Sequence, residues 1–371
     1  MSAPRIEDAA ATLACLPKMT PTRMRALVEQ FGSVLQAFTA VADGRAAEAP
    51  LSPERGTSVM SGPADLARAW QTAIGDDLTP VRLTRRKTIV WVDGAPGYPI
   101  DDPVPDRPPV LLGEGTRPDA LSARRVGVVG TRAASPHGLE DAYDLGAFLG
   151  AAGITVVSGM AIGIDGAAHE GAISAGGLAV GVVATGLDIE YPRRHRLLYE
   201  KVRTSGVIVS ETAFGARPER WRFPVRNRII AALSEVVVVV EATLKGGARI
   251  TAQYALEYGR TVLAVPGSRR NRAARGTNEL IADGAQPLLE WSDVLVALGL
   301  TDGSAPALKP PPRLAPGPEG AAVLRALGGD AATPDQIASR TGLAPDRVAV
   351  ALFELERAGW VDRAQGAIWP R

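Results

Sequence analysis

The stretch "ARPERWRFPVRNRIIAALS" (216–234) sets Arg217, Arg220, Arg222, Arg226 and Arg228 around Trp221 and Phe223, with Glu219 as its one acid. Guanidinium groups hold phosphate oxygens through charge-assisted hydrogen bonds, and aromatic rings stack on unpaired bases. The mixture suits a single nucleic-acid strand, because a duplex hides the base faces such rings would cover. The plainer alternative is a solvated basic surface whose two rings belong to the core.

Three more bends pair glycine with a possible phosphate contact. In "VGVVGTRAASPHG" (126–138) an apolar run leads into Gly130, Thr131 and Arg132, with no further glycines at dinucleotide-loop spacing. A helix N-terminus there would offer N–H groups and partial positive charge, to which Arg132 adds a fixed cation; a surface ion pair is the alternative. In "SGMAIGIDGAAHEG" (158–171), Ser158, Gly159, Gly163 and Gly166 leave backbone open, and Asp165 is expected to cap the next helix. His169 lies one turn beyond Asp165, so a structural Asp–His bond is expected. No serine or cysteine elbow completes a triad. In "EATLKGGARITAQYALEYGR", Lys245, Gly246 and Gly247 open another helix, while Arg269, Arg270, Arg272 and Arg275 read as a surface loop.

Such separated bends need a scaffold that gathers them on one rim. The runs "TIVWV" (88–92), "RVGVVG" (125–130), "ITVVSG" (154–159), "LAVGVVAT" (178–185), "VIVSE" (207–211), "EVVVVVEA" (235–242) and "TVLAVPG" (261–267) alternate with helical segments. Val/Ile runs without polar alternation mark parallel strands covered on both faces. Residues 81–298 are therefore expected to form a doubly wound, Rossmann-like α/β domain with a mostly parallel sheet, whose ligands bind beyond the strand ends. In "HGLEDAYDLGAFLGAAG", Ala142, Gly146 and Gly150 keep one helix face small for close contact with the sheet.

Residues 1–80 read as a helical domain of SAM-like or helix-hairpin-helix type. Thr20–Pro21 starts a helix, Met24, Leu27, Val28 and Phe31 form its apolar face, and Gly32 ends it. The turn Leu16-Pro17-Lys18-Met19 lacks the glycines through which DNA-binding hairpins expose amides, which favours a packing module. Residues 299–318 are Pro/Gly-rich and read as a linker. Residues 319–371 read as a small winged helix: a capping box at Thr333 and Gln336, a helix with Val348, Leu352 and Leu355 on one face, and a hairpin around Gly366.

The chain of 371 residues is 46% hydrophobic and 22% charged with formal net charge +1, so attraction for a polyanion must come from local clustering. Its one cysteine, Cys15, excludes an internal disulfide and reads as a buried structural thiol, consistent with a reducing compartment. His137, His169 and His195 are too scattered to suggest a metal site. No signal-peptide build or membrane-spanning run is seen, so a cytoplasmic protein without cofactor is expected.

Taken in order, "GVVGTR", "SGMAIGIDGAAHEGAI", "GLDIEYP", "FPVRNRIIAALS", "VVVVEA", "ITAQYALEYGR", "AVPG" and "GTNELIADGA" resemble the DNA-processing protein DprA (Smf) family, closely over about 85–298. The resemblance implies a non-enzymatic protein that binds and protects incoming single-stranded DNA, forms a homodimer, and loads the RecA recombinase in natural transformation and homologous recombination. By position it implies DNA contact from Gly130, Thr131 and Arg132, from Ser158, Gly159 and Gly163, from Phe223, Arg226 and Asn227, and from Lys245 with Gly247. The chain has Gly246-Gly247-Ala248 where the family often reads Ser-Gly-Ser, and Ile162 where some members have a base; the latter shifts phosphate contact toward Arg220 or Arg222.

Two rival readings remain at this stage. Phosphoribohydrolases of the lysine-decarboxylase-like group use a similar sheet, with a glutamate just after a glycine loop; here the nearest candidate, Glu257, stands well down its helix. A winged-helix regulator would read duplex DNA, yet the helix that would do so carries Asp346, Glu354 and Glu356 beside Arg347 and Arg357. That balance favours partner binding or dimer packing over groove contact. The segment "NELIADGAQPLLEWSDVLVALG" suits either an interface or the last strand and helix of the core.

Overall fold

The computed structural model describes residues 5–51, 62–75, 88–101, 104–300, 316–328, 331–358, 360–364 and 366–370. They form two compact units, Met1–Pro306 and Ala307–Arg371. Most of the expected linker, 301–315, lies outside the described residues. Among the described residues no helix is long and apolar enough to cross a membrane.

The first unit opens with α1 (Ile6–Cys15), α2 (Pro21–Phe31), α3 (Val34–Ala42) and α4 (Pro63–Gly75). The Thr20 side chain accepts from the Arg23 N–H, Pro21 starts the first turn, and Gly32 closes α2 in the left-handed region. Leu16 and Met19 of the turn between α1 and α2 are buried, as a packing module requires, whereas Cys15 is only half-buried. Trp70 is fully buried and its indole N–H donates to the Pro17 carbonyl at 2.7 Å, tying α4 to that turn. These helices share one core with the near end of the sheet, where Leu13, Leu27 and Trp70 join Val110, Leu112 and Ile208.

Strands β1 (Ile89–Val92), β2 (Val110–Glu114) and β3 (Arg125–Val129) precede α5 (Pro136–Ala151); β4 (Thr155–Ser158) precedes α6 (Ile164–Ser174). Then follow β5 (Ala179–Val182), α7 (Arg196–Ser205), β6 (Gly206–Ser210), α8 (Arg222–Leu233), β7 (Val236–Val239), α9 (Gly247–Glu257), β8 (Thr261–Ala264), α10 (Arg275–Ala282), β9 (Gln286–Pro287) and α11 (Asp293–Ala297). The sheet order is β1-β2-β6-β5-β4-β3-β7-β8-β9. From β6 to β9 all pairings are parallel, while β2 runs antiparallel to β6 and β1 antiparallel to β2.

Strand residues alternate between two buried faces. Val126, Val128, Val236 and Val238 pack under α5, α6 and α11, while Val129, Val237 and Val239 pack under α8 and α9. That double burial is why these strands read as unbroken apolar runs. The small residues of α5 serve a different neighbour from the one expected: a Cβ on Gly146 or Gly150 would strike the Ala168 or Ala172 carbonyl. Both carbonyls belong to α6, so the glycines bring two helices together; Ala142 alone joins the core beneath. The segment after Asn278 supplies core, with Leu280, Leu288, Val294 and Leu295 buried.

The second unit comprises α12 (Pro318–Leu327), α13 (Pro334–Thr341), α14 (Pro345–Arg357) and the hairpin β10 (Val361–Ala364) and β11 (Ala367–Pro370). Thr333 and Gln336 form the expected capping box, and Val323, Leu327, Ile337, Val348, Leu352 and Leu355 form the core. Helix α12 begins where the linker was expected to end, completing a three-helix winged fold.

Candidate nucleic-acid interface

In a doubly wound sheet the crevice for ligands opens where strand order reverses, here between β3 and β7. The start of α8 gathers the bends around that point. The Arg132 guanidinium lies over the Phe223 ring, 4.8 Å from its centroid, and Tyr191 meets the same ring at 5.6 Å. One turn further, Arg226 Nη1 donates to the carbonyls of Gly159 (2.7 Å) and Val182, and its Nε donates to Asn227 Oδ1 at 3.2 Å. Asn227 Nδ2 in turn donates to the Gly247 carbonyl at 3.1 Å. One helix start thus touches the bends at Arg132, Gly159 and Gly247.

Burial divides the candidate residues into two groups. Arg226 is 5% exposed and faces Asp165, which is equally buried. Burial pushes the Arg226 guanidinium down to about 10 against the opposing pull of Asp165, and pushes the Asp165 carboxyl up against the pull of Arg226. The structure thus places Arg226, expected to contact the strand, beneath the surface with its guanidinium on the Gly159 and Val182 carbonyls. Ser158 is placed likewise: its hydroxyl is buried and donates to the Val128 carbonyl at 2.6 Å. Asp165 sits inside α6 rather than capping it. It accepts from the Gly159 and Ala161 N–H groups at 3.1 and 3.3 Å and makes no bond to His169. The Gly159 amide is thereby consumed, and the expected Asp–His pair is absent.

The first bend departs from expectation in an instructive way. Helix α5 starts at Pro136, not at Gly130, with Ser135 as its cap. The Glu241 carboxylate accepts from the Ser135 N–H (2.8 Å), the Ser135 hydroxyl (2.7 Å) and Asn271 Nδ2 (3.0 Å). An internal anion thus sits where a dinucleotide fold places pyrophosphate. Thr131 gives its N–H to the Glu241 carbonyl at 2.7 Å, and its hydroxyl accepts from Ala133 at 3.2 Å. Gly130 serves packing, since a Cβ there would strike Ile164. Gly163 adopts φ +85°, and a Cβ would strike the Thr131 carbonyl. The two bends are therefore locked together, with Arg132 exposed on top.

Open capacity lies elsewhere on the rim. Helix α9 starts at Gly246–Gly247 with no side-chain cap, next to exposed Lys245. Arg220 is exposed, whereas Arg222 bonds Glu219 at 3.0 Å and stacks on Trp221 at 4.6 Å. Trp221 is 49% exposed, which removes it from the core. Tyr191, unassigned by residue-type reasoning although it stands in "GLDIEYP", also lines a cleft of about 950 Å³ with Arg193, Arg196 and Arg217. The exposed Arg269–Arg275 loop is tethered to the first bend through Asn271. Among the described residues no cluster of metal-ligating side chains occurs.

Sheet order, helix layers and the three-helix hairpin unit define a Rossmann-like α/β protein carrying a winged helix. Residues 90–299 match the DNA recombination-mediator protein A family and residues 306–367 match the DprA winged helix domain, so the chain belongs to the DprA (Smf) family. It is 35% identical to Protein Smf of Synechocystis sp. over 304 residues, covering 72% of this chain and 76% of that protein. The X-ray structure of DNA processing protein A from Streptococcus pneumoniae superposes with TM-score 0.62 at 30% identity, covering 78% of this chain and 96% of that one. DNA processing protein A from Helicobacter pylori, a structure described for its single-stranded DNA binding mode, superposes with TM-score 0.51 at 28% identity, covering 57% and 95%.

Proposed function

We propose that the rim above α8 binds single-stranded DNA, and that the protein shields this strand and hands it to the RecA recombinase as a cytoplasmic, non-enzymatic homodimer. The observation that carries the reading is Arg132 stacked over Phe223 with Tyr191 alongside, a ledge with an exposed cation and an exposed ring against a half-buried one. A phosphate bound to the guanidinium leaves the neighbouring base beside an aromatic face. Glu241 and Asp165 already satisfy the amides of the first two bends, so phosphates are held mainly by side-chain cations: Arg132, Arg220 and Lys245, with the open mouth of α9 and Gly247. Gly130, Thr131, Ser158, Gly159, Gly163, Arg226 and Asn227 shape and brace this ledge.

Labelled oligonucleotides, single- against double-stranded, measured across a salt series test the reading. Arg132→Ala should lower the slope of log affinity against log salt by about 0.7, one phosphate contact on a single strand. Phe223→Ala should weaken binding by about 1–3 kcal/mol while leaving that slope intact. Equal affinity for duplex, or an unaltered slope in Arg132→Ala, would sink it. The loading step is read separately, as faster RecA assembly on protein-coated strand.

The phosphoribohydrolase reading gains nothing from the geometry. Glu257 ends α9, about 15 Å from the helix mouth at 1.5 Å rise per residue, and its carboxylate accepts from Gln253 at 2.9 Å.

A further inference from the structure

Helix α14 is the one a DNA-reading winged helix would lay in the major groove. Its buried side is Val348, Ala351, Leu352 and Leu355. On the opposite side Asp346, Val350, Phe353 and Arg357 follow one another at spacings of four, three and four, with Val350 57% and Phe353 63% exposed. That spacing is the seam of a coiled coil: two apolar positions flanked by an acid in the first turn and a base in the last. Exposed Glu354 and Glu356 beside it would repel phosphate, so the face is unsuited to DNA.

We infer that α14 pairs antiparallel with α14 of a second copy of this chain. The seam is self-complementary about the helix midpoint between 351 and 352. In the antiparallel alignment Val350 of each copy faces Phe353 of the other, and Asp346 of each faces Arg357 of the other. A parallel pair would instead set Asp346 on Asp346 and Arg357 on Arg357, so charge fixes the orientation. The helix dipoles favour the same choice, because each N-terminus then lies beside a C-terminus. A two-fold contact of this kind is isologous and closes on itself. The inference stands independently of what the α/β unit binds.

Sedimentation of the full chain over a concentration series tests it. Asp346→Arg and Arg357→Asp should each raise the dissociation constant of one self-association step by about tenfold or more, because each puts like charges in contact twice. An equimolar mixture of the two variants should return that step to near its original strength, since every seam charge in the mixed pair again faces its opposite. Phe353→Glu should abolish it. All these positions are exposed, so far-UV dichroism, and melting at a dilution where the parent's step is itself dissociated, should match the parent chain and exclude misfolding as the cause. Self-association indifferent to both charge reversals would overturn the inference and leave the seam to a foreign protein. A mixture no stronger than the separate variants would overturn it equally, and tighter duplex binding by Asp346→Arg with no change in mass would assign the face to DNA.

Discussion

Removing the Arg226 guanidinium would unfasten the buried Gly159 and Val182 carbonyls together and take away the cation whose charge opposes the burial of the Asp165 carboxyl. Arg226→Met should therefore cost about 1–3 kcal/mol or more in urea unfolding, the range for buried polar groups left unpaired. Arg132→Ala, at an exposed position, should stay within about 0.5 kcal/mol. If the two variants lose stability equally, the division between brace and contact fails. His169 is fully buried; burial, helped by the charge of His195, holds its pKa down to about 3 against an ordinary 6.5. Between those values the unfolded chain carries the extra proton, so stability is full above about pH 6.5 and falls on acidification toward pH 3. The slope from this one group is up to about 1.4 kcal/mol per pH unit. His169→Leu should flatten the urea midpoint between pH 6.5 and 4; a slope equal to the parent's would point to other groups. Residue types in "FPVRNR" could not separate the half-buried Phe223 from the buried Arg226. Which arginines are buried depends on partners brought in from elsewhere: the Gly159 and Val182 carbonyls for Arg226, and Glu211 with the Asp106 carbonyl for Arg228.

At the level of the helix mouth, Glu241 decides what the first bend can hold. The carboxylate reaches α5 from a position 106 residues away, so nothing in "VGVVGTRAASPHG" betrays it. The missing glycines there have a simple cause: no outside pyrophosphate has to approach the backbone, since an internal anion already does. Glu241→Ala should melt lower than the parent, and its melting temperature should rise in phosphate relative to equal ionic strength of chloride. The parent should show no such difference. Two variants responding alike to phosphate would mean the mouth does not become an anion site. Other elements were hidden for local reasons. Strand β2 is a five-residue run, "VLLGE", that follows "RPP" and carries a glycine of its own, and it joins the sheet antiparallel. Helix α12 starts at a proline that reads as the tail of a Pro-rich linker.

Across the whole molecule, the doubly wound sheet was legible because burial on both faces demands continuous apolar strands, and "VVVVV" leaves little choice. The order of strands was less so, since the two antiparallel strands at one end follow from packing against α1–α4 and not from any periodicity. The capping box and hairpin glycine announced the winged helix outright. Its partner preference had to be read from which faces of α14 were left outside. The far margin of the sheet carries a consequence for crowding. Strand β9 is only Gln286–Pro287, and proline has no amide proton to lend to a newcomer. A stray segment from another molecule meets no ladder to climb there, so copies brought close together are protected at that border from fusing strand to strand into fibrils.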